Sequence, residues 1–223
     1  MTAKLRVESW DVTTRLAEIG FTRDELLDVV KMCVAQHAYV SENDPPNAKG
    51  YEPYRFGVRG LREIKIPKQD GWDKDNTDGF CTLINEDRRI RIAVMNSDSN
   101  TGKNDPNVVP QNRSKKGLKS GEVSKTNEKL EKQLVLGGVD WAPVPENENK
   151  VIDFSNYTTW HLCIFISGDE VRSELSRLHG FDGSFYTQCF ERIIFLGDGD
   201  WDKTNYKNNF DDGPEFAVEI TRK

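Results

Sequence analysis

The sequence predicts an α+β fold: N-terminal helices packed on a mainly antiparallel β-sheet, with long polar loops. Three observations carry this reading. Helical periodicity is strongest over residues 12–39. Apolar runs of strand length dominate after residue 79. No βαβ alternation, internal repeat or Gly-rich phosphate loop breaks that segregation. The 223 residues are enough to bury a core without disulfides or metals, and 1–223 reads as a single domain. With 36% apolar and 30% charged residues, short apolar runs must build that core between generous polar loops.

Each element has its own signal. Val12 to Ile19 is a short helix stopped by Gly20. Thr22-Arg-Asp-Glu25 has the form of a capping box: the Thr22 hydroxyl takes one free N–H and Glu25 reaches back to another. Leu26, Val29, Val30, Cys33, Val34 and His37 then share one face of a helix ending near Tyr39. Ser41 to Tyr54, with Asp44-Pro-Pro46 and Gly50, reads as a loop. Arg55 to Pro67 reads as a helical turn feeding a short strand. Gly79 to Asn96 reads as a hairpin, with arms Phe80–Ile84 and Arg89–Met95 around Asn85-Glu-Asp87. Residues 97–121, rich in Asn, Ser, Asp, Gly and Lys, form a long basic and polar loop projecting from the domain. Val123 to Leu136 is a charged helix, and 137–158 is a second connection. Thr159 to Ile166 is a buried strand, turned at Gly168-Asp169 into a returning arm, Glu170–Leu175. Phe190–Leu196 and Phe216–Ile220 are the last two strands.

Composition narrows the functional classes. No stretch approaches the roughly 20 apolar residues of a membrane helix, so no membrane partner is expected. Met1 to Val7 lacks the apolar core of a secretory signal. Cys33, Cys81, Cys163 and Cys189 lie at long spacings with no CxxC pair, which reads as reduced thiols in the cytoplasm. Abundant Asn and Asp with few cysteines suits a bacterial or phage protein. A formal net charge of −6 argues against a uniformly basic nucleic-acid-binding surface but leaves room for a local basic patch.

Several constellations could carry chemistry. Glu63-Ile-Lys65, on a strand, would place both side chains on one face, with Asp44 upstream as a second carboxylate. This tripeptide resembles the half-motif of PD-(D/E)xK nucleases, and the resemblance implies Mg²⁺ held by Asp44 and Glu63 with Lys65 beside the attacking water. Cys33 and His37 share a helix face and His161 and Cys163 a strand face, so the two pairs could form a zinc site. Asp198-Gly-Asp200-Trp-Asp202 alternates acids as calcium loops do, but Lys203 stands where the turn glycine belongs. Residues 113–132 hold seven basic and three acidic residues, and Arg113, Lys115, Lys116 and Lys119 are candidate contacts to a phosphate backbone or an acidic surface. If Val58 to Ile64 is helical, Arg55, Arg59 and Arg62 line one face and form a second candidate anion site. No nucleophile elbow is present, and His179 reads as a surface residue. The expected function is therefore a non-catalytic binding or accessory protein, with no cofactor, whose partner is a protein or a nucleic acid. The alternative is the Mg²⁺-dependent nuclease.

Overall fold

The computed structural model describes residues 2–135 and 153–201. Among the described residues seven strands form one mixed sheet: β1 (Lys4–Arg6), β2 (Trp72–Asp75), β3 (Thr82–Asn85), β4 (Ile90–Asn96), β5 (Thr158–Ser167), β6 (Glu170–Phe181) and β7 (Tyr186–Leu196). Their order across the sheet is β1-β7-β6-β5-β4-β3-β2. Neighbours run antiparallel except β1–β7 and β4–β5, which are parallel. Four helices, α1 (Ser9–Ile19), α2 (Arg23–Tyr39), α3 (Ala48–Lys65) and α4 (Leu118–Val135), complete an α+β architecture.

Local signals explain α1 and α2. Gly20 closes α1 at φ 104°, and its N–H reaches the carbonyls of Leu16 and Ala17. Thr22 and Glu25 make both halves of the capping box that starts α2. α3 departs from expectation. Residues 48–65 form one continuous helix in place of a loop, a turn and a strand. Its core-facing side carries Tyr54, Val58, Leu61 and Ile64 at helical spacing, interspersed with buried Pro53, Gly57 and Gly60. The glycines admit close approach: a Cβ on Gly57 would lie 2.8 Å from Val94 and 3.2 Å from Cys33. Packing thus outweighs the poor helix propensity of Gly and Pro. β2 is a further strand not anticipated from the sequence. It is anchored by buried Trp72, whose ring meets Phe21 edge-on at 5.1 Å.

α1, α2 and α3 cover one face of the sheet. Leu16, Leu26, Val30 and Leu61 meet Ile92, Leu162, Leu175 and Ile193 there. A smaller apolar cluster (Met95, Cys163, Leu178, Tyr186 and Cys189) lies apart from that core. α4 packs on β5 and β6, and its buried Asn127 donates to the carbonyls of Thr159 and Leu178. Parallel β4 and β5 need a long crossover rather than a hairpin, and the chain between them contains α4.

The segment after β4 does not project; this corrects the sequence reading. Arg192 and Glu174 are fully buried and pair at 2.6 Å. Arg192 also donates to the carbonyls of Asn100, Lys103, Asp105 and Val108. Glu174 accepts the Gly102 N–H at 2.7 Å. A buried ion pair needs its remaining donors and acceptors satisfied, and here the polar segment's own backbone satisfies them. Ser97 bridges to Asn112 further along. The expected strand Phe216–Ile220, most of the connection 137–158 and the acidic run from Asp202 onward lie outside the described residues. No helix among the described residues is long and apolar enough to cross a membrane.

Candidate anion-binding site

A cavity of about 540 Å³ opens where α2 ends, α3 begins and β4 and β5 finish. Asn96, the last residue of β4, and the buried Ile164 and Ile166 of β5 line it. The first turns of α3 supply Lys49, Gly50, Tyr51 and Tyr54, and His37 comes from the last turn of α2. Arg113, Ser114 and Lys116 form another wall. That wall is fastened at several points. The Arg113 N–H donates to the Asn96 carbonyl at 3.1 Å, and the Lys116 N–H donates to Ser184 at 3.0 Å. The Asn112 amide donates to the carbonyls of Ser114 at 2.6 Å and Ser184 at 3.0 Å.

The electrostatics of this cavity are one-sided. It is lined by Lys49, Arg113, Lys116 and His37 and, among the described residues, by no carboxylate. None of the three permanent cations has an ion-pair partner among the described residues. Arg113 gives one N–H to the Ile166 carbonyl at 3.2 Å and lies 5.2 Å over the Phe165 ring, which orients the fork while leaving its other side-chain donors without an acceptor among the described residues. Burial pushes the Lys116 ammonium down, partly opposed by the Cys163 thiol. Burial, then Lys49, then Arg113 push the His37 imidazole down. The first turn of α3 holds no acidic residue and Asn47 makes no side-chain capping bond, so the positive end of the helix dipole is not offset locally. Burial, then Cys81, push the Tyr54 phenol up to about 12, so it stays a neutral hydroxyl. The Tyr51 ring is 53% exposed at the cavity wall. Such a site favours a ligand that brings negative charge and a flat apolar face.

The candidate residues read from sequence have different fates. Arg113 and Lys116 line the cavity, and exposed Lys115 lies between them in the chain. Lys119 pairs with Asp78 at 2.7 Å and Glu122 at 2.9 Å. Arg55 pairs with Glu52, and Arg59 with Glu63. Arg62 holds the carbonyls of Asp75 and Thr82 and the Asn76 amide oxygen. These four therefore have partners within the chain. The premise behind Asp44, Glu63 and Lys65 also changes. Glu63 and Lys65 lie on a helix, not a strand, so residues two apart no longer share a face. Glu63 is exposed beside Arg59, while buried Lys65 meets Glu25 at 3.2 Å. Asp44 accepts the Ser41 N–H in its own loop. Cys33 belongs to the helix-side core and Cys163 to the smaller cluster, so the two Cys/His pairs do not face one another. Among the described residues no three His, Cys, Asp or Glu side chains group as a metal site. His179 is not a surface residue but is buried, stacked on Phe190 at 3.7 Å.

No protein-family model matches this chain, and no curated protein or solved structure matches it significantly. Lys49 and Tyr51 were missed from sequence, and His37 was read there only as a candidate zinc ligand. Asn47-Ala-Lys-Gly-Tyr51 after Pro45-Pro46 is the available signal for a helix start, weakened there by Gly50 and Pro53.

Proposed function

We propose that this chain is a non-catalytic binding protein that engages single-stranded nucleic acid through the cavity between α3 and residues 113–116. One observation carries the reading: a cavity lined by three cations that have no ion-pair partner, and by no carboxylate, among the described residues. Phosphate oxygens are the natural occupants of such a site, because each phosphate that replaces counterions adds affinity without base readout. Tyr51 adds the stacking surface that the basic segment itself lacks in sequence. Of the partners expected from sequence, a nucleic acid fits this chemistry better than a protein. The four free cysteines, three of them buried, are compatible with a reducing bacterial or phage-infected cytoplasm.

The test is fluorescence anisotropy with labelled single-stranded DNA and RNA at low and physiological salt. Binding that weakens as salt rises, and that falls at least tenfold in an Arg113→Gln/Lys116→Gln double variant, is the expected result. Arg59→Gln, at a residue already paired with Glu63, should bind like the wild type. No binding at low salt, or full binding by the double variant, would remove the reading.

A further inference from the structure

Resting on that reading, we infer that the cavity takes the end of a strand bearing a terminal phosphomonoester, rather than an internal stretch of backbone. Two features of the cavity lead there. The first is its size. The volume of about 540 Å³ exceeds the needs of a bare phosphate and lies in the range of pockets that hold a whole small ligand. It therefore suits a terminal nucleotide.

The second is charge. An internal phosphodiester carries a single negative charge. A phosphomonoester carries about −1.5 to −2 near pH 7 and presents three acceptor oxygens. Lys49, Arg113 and Lys116 together match a monoester and the next diester, not one diester alone. Arg113 is held at one N–H by Ile166, which leaves a second edge of its fork for two oxygens of the monoester. Tyr51, at the wall and half-exposed, is placed for the base of that nucleotide to stack on.

The experiment compares one single-stranded oligonucleotide in three forms, with a 5′-phosphate, a 3′-phosphate or hydroxyls at both ends, all carrying the same internal fluorophore. One phosphorylated form should bind at least tenfold more tightly than the hydroxyl form. That advantage should shrink to less than threefold in Lys49→Gln, at an exposed residue whose loss leaves the fold intact, and also in Lys116→Gln. Tyr51→Ala should weaken every form by about tenfold, the loss of one stacked base. Equal affinity for all three forms, still sensitive to salt, would overturn the terminal assignment while leaving strand binding in place. Loss of binding to every form would instead count against the function proposed above.

Discussion

His161 stands on β5, buried, with its ring 4.8 Å from that of Tyr186 and its Nδ1 without a hydrogen-bond partner. Burial, then Lys116, then Arg91 push its pKa down to about 3. The imidazole is therefore neutral in the fold at every pH above that value, while in the unfolded chain it titrates near 6.5. Between those two values the unfolded state holds a proton that the folded state refuses, so stability rises with pH across the window and is lost as pH falls through it. The full difference is on the order of 5 kcal/mol. His37 and His179 shift in the same direction and add to the slope. His161→Phe keeps an aromatic ring against Tyr186 and removes the titrating group. Urea unfolding at pH 7, 6, 5 and 4.5 should give a clearly shallower loss of stability for this variant than for the wild type. Identical slopes would mean that His161 finds a partner for its proton in the fold.

The segment after β4 connects the buried core to the candidate anion site. Gly102 sits at φ 72°, and a Cβ there would lie 2.8 Å from the Arg172 Cβ and 3.0 Å from the Leu196 carbonyl oxygen. Its N–H is also the backbone donor to Glu174. Gly102→Ala combines left-handed strain with a clash against backbone, for a cost of about 3 kcal/mol. Because the same stretch of chain runs on to Arg113, the variant should bind oligonucleotide several-fold more weakly although residue 102 does not line the cavity. Gly117→Ala, where an added Cβ meets nothing within 4 Å, is the matched control and should change neither thermal midpoint nor affinity. A folded Gly102→Ala protein that binds normally would separate the anchoring of this segment from the site. The same contrast explains what was legible beforehand. The capping box at Thr22 and the Gly168 turn were readable because they are settled within a few residues. The anchoring was not, because Arg192 and Asn100 are 92 residues apart in the chain. α3 was hidden for a different reason: Tyr54, Val58, Leu61 and Ile64 do recur at helical spacing against the core, but Gly50, Pro53, Gly57 and Gly60 among them read as helix breakers. Arg113 and Lys116 stood out as cations, but Lys49 and His37 join them only through the meeting of α2, α3 and the strand ends.

At the scale of the whole molecule the chain carries 37 acidic and 31 basic residues, so a strand of phosphates is repelled on average. Binding must then be local, and the salt dependence should count the few cations involved. For single strands the slope of log affinity against log salt is about −0.7 per neutralised phosphate. Lys49, Arg113 and Lys116 predict a slope near −2, and Lys115, exposed beside them in the chain, extends it to no more than about −3. Replacing Lys49 or Lys116 with Gln should lower the slope by about 0.7 each. Lys119→Gln should leave it unchanged, because Lys119 is already neutralised by Asp78 and Glu122. The measurement is a salt titration of oligonucleotide affinity for wild type and the three single variants. A slope steeper than about −5 would mean that a broad surface, not the cavity, meets the strand. A slope near zero would mean that phosphate is not what the cavity holds, and that its cations serve a ligand whose affinity lies in directed hydrogen bonds instead.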